Sequence, residues 1–74
     1  MKPVEEAKVR VQLNGAEREV VEGLTVGELL RQLELPPERV AVEVNLCVLL
    51  RAQFSLTRLR EGDRVEIVTF VGGG

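Results

Sequence analysis

Residues 8–21, KVRVQLNGAEREVV, place an Asn-Gly pair between two β-type runs. Val9, Val11 and Leu13 alternate with Lys8, Arg10 and Gln12, the period of a half-buried strand. A type I′ turn needs positive φ at both of its central positions, a demand that Asn14-Gly15 meets, so this stretch predicts a tight hairpin. A hairpin with one apolar face cannot stand alone in water. The rest of the chain must therefore extend the sheet and cover that face.

The cover is legible in TVGELLRQL, where Val26, Leu29, Leu30 and Leu33 fall at i, i+3, i+4 and i+7 and draw one apolar stripe on a helix. Thr25 with Glu28 three residues on is a capping box. Pro36-Pro37 ends any helix, and steers Leu35 toward extended backbone. Gly27 weakens a helix relative to alanine, and nothing local compensates. Residues 40–44, VAVEV, read as a strand. A short strand near 48–50 follows, then an irregular stretch expected to carry Phe54, Leu56 and Leu59 into the core. EGD at 61–63 is a turn, and 64–70 reads as the last strand.

Strand, strand, helix, strand, short strand, strand is an α+β order of two layers. A right-handed crossover would set the closing strand parallel to the first, both central in the sheet. This is the β-grasp architecture, a mixed sheet of four to five strands packed on one helix. Residues 1–74 form a single domain, with 1–6 a loose N-terminus and 71–74 a flexible C-terminal tail.

Conventional chemistry is scarce. The chain has one cysteine and no histidine, so neither a disulfide nor a zinc-type site can support a small core, and the obvious general base is missing. Cys47, set in LCVLL, reads as a buried, inert thiol. Ser55 has no histidine to activate it, and Glu5-Glu6 reads as solvated surface. Twelve acidic and ten basic side chains give a net charge of −2, which argues against nucleic acid as partner. The sequence has no signal-like leader and no membrane-length apolar run. The expectation is a cytoplasmic module.

The remaining feature is VEIVTFVGGG, residues 65–74. Glycine loses more conformational freedom on ordering than any other residue, so Gly72, Gly73 and Gly74 add nothing to folding. They read either as a frayed end or cloning scar, or as a stalk. From Val71 to Gly74 such a stalk reaches roughly 13–14 Å at ~3.3–3.6 Å per residue, through a channel too narrow for side chains. Its carboxylate, with a pKa of ~3.3–3.7, is ionised at neutral pH and reacts as an acyl donor only once activated, most simply by ATP as an acyl adenylate.

A β-grasp domain with a C-terminal Gly-Gly resembles the ubiquitin-like sulfur carriers, most closely the ThiS family of thiamine biosynthesis. The resemblance runs through VQLNG, LTVGELLRQL, VAVEVN and LREGDRVEIVTFVGGG. It departs at Leu46-Cys47, where a turn residue such as glycine is expected after Asn45. The resemblance implies that no cofactor is held by the chain itself. A ThiF-like adenylyltransferase would adenylate the carboxylate of Gly74 with ATP and magnesium. A sulfur donor of the cysteine desulfurase type would supply the sulfur of a thiocarboxylate. A ThiG-like thiazole synthase would accept that sulfur, with Gly72 and Gly73 as the threaded stalk. A molybdopterin-synthase subunit of the MoaD type, a ubiquitin-like modifier and a plain interaction domain are the competing readings.

A partner must also grip the body. Glutamate is rarely buried, so Glu66, Val68 and Phe70 are expected to face solvent, and Val65, Ile67 and Thr69 the helix. Val68, Phe70 and Val71 would then border the tail as a docking surface. Alternatively, a curling sheet buries Phe70 against Phe54 or residues 48–50.

Overall fold

Asn14 and Gly15 adopt φ of 49° and 83°, so the first turn has the handedness that its sequence demands. It joins β1 (Lys8–Leu13) to β2 (Ala16–Val21), which pair antiparallel from Lys8↔Val21 to Leu13↔Ala16. The computed structural model describes residues 6–70. The loose N-terminus and the tail expected from sequence therefore lie wholly or largely outside the described residues.

Helix α1 (Val26–Gln32) has only seven residues, too few to persist alone in water. Two things hold it. Val26, Leu29 and Leu30 are fully buried, and the N–H groups of the first turn all find acceptors. The Val26 N–H donates to the Thr57 carbonyl at 2.9 Å and the Gly27 N–H to the Phe54 carbonyl at 2.9 Å. The Glu28 N–H donates to Thr25 Oγ1 at 3.1 Å, while Glu28 Oε1 accepts from the Thr25 N–H at 2.9 Å, completing the capping box. The Thr25 N–H and, at 3.1 Å, the Thr25 hydroxyl both donate to Glu28 Oε1 and hold that carboxyl below its ordinary pKa. A Cβ at Gly27 would stand 3.6 Å from the Phe54 carbonyl oxygen, an ordinary contact, so alanine fits here and the close approach does not require glycine.

The helix stops before Pro36-Pro37. Glu34 takes a φ of 59°, its N–H donates to the Arg31 carbonyl at 3.1 Å, and the Leu35 N–H donates to the Leu30 carbonyl at 2.9 Å. This is a Schellman closure with glutamate where glycine is the usual occupant. The prolines instead open a 3₁₀ turn, Pro37–Arg39.

Three further strands complete the sheet: β3 (Val40–Val44), β4 (Cys47–Val48) and β5 (Arg64–Thr69). Their order is β2-β1-β5-β3-β4. β5 lies in the middle, parallel to β1 and antiparallel to β3, as the crossover argument predicts. Asn14 reinforces the short parallel pairing. Its Oδ1 accepts from the Ile67 N–H at 2.8 Å and its Nδ2 donates to the Ile67 carbonyl at 3.2 Å, so a turn side chain prolongs the ladder. Asn45 does the same at the other side, where its Oδ1 accepts from the Arg64 N–H at 2.9 Å and its Nδ2 donates to Asp63 Oδ1 at 3.0 Å.

The core between helix and sheet is aliphatic apart from Phe54, with Val11, Leu29, Leu30, Val42, Leu59 and Val65 most deeply placed. Several sequence expectations are corrected here. Leu56 is exposed rather than in the core, because the chain leaves the 3₁₀ turn Arg51–Gln53 with only Phe54 turned inward. The short strand begins at Cys47 rather than 48, and Cys47 is exposed rather than buried. β4 is a two-residue edge strand with neither residue under the helix, so its aliphatic neighbours do not enclose the thiol.

Candidate functional site: the outer face of the sheet

The face of the sheet turned away from α1 is built by strand alternation. On β5, Val65 and Ile67 are buried, whereas Arg64, Glu66 and Val68 are exposed. Thr69, expected on the helix side with Val65 and Ile67, is also exposed, since β5 ends at this residue. Register places Ala41 opposite Val68 and Glu43 opposite Glu66, and on the far edge Val48 opposite Glu43. The Phe70 N–H donates to the Arg39 carbonyl at 2.8 Å, carrying the β3–β5 pairing one step past the strand.

Val68 is 59% and Phe70 57% exposed. The curled alternative, with Phe70 tucked against Phe54, is not what forms. Phe54 is a core residue beneath the helix, whereas Phe70 continues the outward row of β5. Val71, Gly72, Gly73 and Gly74 lie outside the described residues, and Phe70 is the last position before them. Two of the six residues singled out from sequence are thus seen exposed at and just past the end of β5, and the other four follow in sequence.

Sequence reading missed the remainder of this face. Val48, opposite Glu43, is 70% exposed, and with Val68 and Phe70 it adds to an apolar display of the kind that proteins keep for partners. Glu43 and Glu66 sit among them. The available signal was the single polar residue in VAVEV. Its cross-strand partner depends on register, which no local pattern discloses.

No group of three or more metal-ligating side chains occurs among the described residues, and none of their helices is long and apolar enough to cross a membrane. An open groove of about 720 Å³ runs between α1 and the 51–55 segment, past Leu35, Pro36 and Phe54, with Arg31, Arg51 and Glu34 at its sides. It lies on the helix side, away from the outer face.

The ThiS family model matches residues 11–74. The chain belongs to the ThiS family. Its fold agrees with that of a crystal structure of the thiamine biosynthesis protein ThiS from Geobacter metallireducens. That structure is 40% identical, with a TM-score of 0.76, and the match covers 89% of this chain and 100% of that one. The match to a solution structure of a Geobacter metallireducens thiamine biosynthesis protein has a TM-score of 0.74 at 40% identity and covers 89% and 88% of the two chains. The β-grasp architecture read from sequence is therefore the architecture of ThiS. Among other relatives, a thiazole synthase of Magnetococcus marinus is 39% identical over 66 residues, which are 89% of this ThiS-family chain but 20% of the synthase. The chain thus spans about one fifth of that protein. The ycf40 protein of Porphyra purpurea is 38% identical over 66 residues, 89% of this chain and 93% of its own length.

Proposed function

We propose that this ThiS-family chain is a cytoplasmic sulfur carrier for thiazole formation in thiamine biosynthesis, with the carboxylate of Gly74 as its reactive group. The observation that carries this reading is that the family match extends through residue 74 and so includes the glycine run. The chain acts as a substrate of partner enzymes. A carboxylate oxygen of Gly74 attacks the α-phosphorus of ATP on a ThiF-like adenylyltransferase, and magnesium pyrophosphate leaves. The outer sulfur of a persulfide on a desulfurase-type donor then attacks the acyl carbon and AMP departs, giving an acyl disulfide; a thiol reductant cleaves its S–S bond, ending in a disulfide itself and leaving the thiocarboxylate. A ThiG-like thiazole synthase takes the sulfur. That thiazole synthases carry a stretch similar to this chain supports the pairing of carrier and synthase.

The test is an intact mass after incubation with ATP, magnesium, the adenylyltransferase and the sulfur donor. The expected result is a gain equal to the difference between sulfur and oxygen. Higher-mass conjugates would mark a modifier instead, and an unchanged mass beside a working control carrier would end the proposal.

On this reading Val68 and Phe70 grip the activating enzyme at the root of the glycines. Val68→Glu and Phe70→Glu place a charge on an already exposed surface. Each is expected to weaken that complex by tenfold or more, about 1.4 kcal/mol, with a melting temperature close to that of the parent. Loss of the cooperative transition in either variant would show that these side chains serve the core.

A further inference from the structure

The β3–β5 ladder ends abruptly, and the reason lies in the turn before β3. One step past the pair Val40↔Thr69, register sets Arg39 opposite Phe70. A hydrogen-bonded pair in an antiparallel ladder exchanges two bonds. Here one is made. The Phe70 N–H donates to the Arg39 carbonyl at 2.8 Å, whereas the Arg39 N–H turns away and donates to the Pro36 carbonyl at 3.0 Å, within the 3₁₀ turn Pro37–Arg39. Two residues further along the same register Pro37 would stand opposite Gly72, and proline has no N–H to give. On the other side of β5, the described pairing with β1 stops at Leu13↔Val65, and the Asn14 side chain carries it only to Ile67. Past Ile67 the strand is held from the β3 side, and the Arg39 carbonyl is the last acceptor described before the glycines.

We propose that the Pro36–Arg39 segment is a positioning element for the reactive end of the chain. It takes the Phe70 N–H, withholds the return bond and bars further pairing, so the sheet releases the chain at one fixed point. This rests on the sulfur-carrier reading and adds to it: the body docks, and the turn sets where the stalk starts. With Phe70 pinned, residues 71–74 place the Gly74 carboxylate at most roughly 13–14 Å from that point, at ~3.3–3.6 Å per residue. Two prolines suit the task, because each ring fixes its own φ and the turn resists deformation; Pro36 has a φ of −70°. Without the bond, β5 frays back toward Ile67. The stalk then starts from a wider spread of positions, and each freed residue must be ordered again before the carboxylate reaches ATP. That loss falls on the step after docking.

The experiment replaces the Phe70 amide by an ester, with the α-hydroxy analogue of phenylalanine in a synthetic segment 47–74 ligated at Cys47. Side chain and tail are unchanged, and the N–H is lost. The control carries the leucine analogue at Leu49, whose N–H donates to the Val42 carbonyl at 2.9 Å on the other side of β3. Each ester removes one sheet hydrogen bond, so both should lower the melting temperature by a few degrees. The readouts are kcat and KM of the chain in ATP–pyrophosphate exchange on the ThiF-like adenylyltransferase, and backbone order parameters at Val68 and Thr69. The Phe70 ester is expected to lower kcat about tenfold with KM near that of the parent, and to lower both order parameters. The Leu49 ester should leave all of these at parent values. Pro37→Gly is the second variant. It keeps the Phe70 N–H but holds its acceptor less firmly, and kcat should fall about threefold.

Parent-like kcat in either folded variant overturns the inference. So does an equal fall in the Leu49 ester, which would make the loss one of general stability. A rise in KM alone also overturns it, because the bond would then serve docking. In each of these cases the parent still gains sulfur, and the carrier reading stands. A parent that supports no exchange beside a working control carrier removes the carrier reading, and this inference with it.

Discussion

A chain extended by a single alanine beyond Gly74 is expected to fold as the parent does and to gain no sulfur. The extension converts the Gly74 carboxylate into a peptide carbonyl, which has no ionised oxygen to attack ATP. The new carboxylate sits ~3.3–3.6 Å further along the chain and on a residue with a Cβ. Displacements of about 1 Å in a reacting group already cost on the order of a hundredfold in rate, so thiocarboxylate yield should fall by at least that factor. Folding has no reason to change. β5 ends at Thr69, and the addition lies well beyond every hydrogen bond described for the sheet. Intact mass and thermal unfolding read the two effects separately. A yield near that of the parent would show that the reactive group is not the carboxylate of Gly74.

The second large effect is on stability. Leu30→Ala is expected to destabilise the domain by about 2–5 kcal/mol, the range for a leucine removed from a packed core. Leu30 is fully buried on the helix stripe. Its carbonyl also accepts the Leu35 N–H that closes the helix, so collapse of the backbone into the cavity is restrained. A domain of this size has a total stability of about 4–11 kcal/mol. The substitution therefore removes a large share of it, with a fall in melting temperature of roughly 10 °C or more. Leu33→Ala is the internal comparison, because Leu33 is only partly buried at the edge of the same core. It should cost clearly less. Equal losses at the two positions would contradict the packing described for α1.

How much of this was legible in sequence follows from how local each determinant is. The hairpin, the capped helix and β5 are set by periodicity and turn chemistry within a few residues, so each stands where KVRVQLNG, TVGELLRQL and RVEIV place it. Strand order follows from the need to cover one sheet with one helix. What escaped was non-local or against type. The acceptor of the Gly27 N–H is the carbonyl of Phe54, far along the chain. The helix stop at Glu34 and the turn at Asn45-Leu46 put side-chain-bearing residues in the left-handed region, where sequence rules look for glycine. Cys47 sits in an aliphatic run that reads as buried, yet a two-residue edge strand encloses nothing. For the candidate site, alternation in β5 identified Val68 and Phe70. Glu43 and Val48 join them through cross-strand register, a property of two segments at once.

The central place of β5 has a mechanical consequence. The strand is flanked by β1 and β3 and leads through Phe70 directly to Val71. A pull on the chain beyond Phe70 acts along the axis of this strand, while its cross-strand hydrogen bonds lie roughly across that axis. The load is therefore shared in shear by both ladders and by the Asn14 and Asn45 clasps, rather than breaking one bond at a time as peeling an edge strand would. On the carrier reading, a partner drawing the glycines into a channel would pull on a strand paired on both sides.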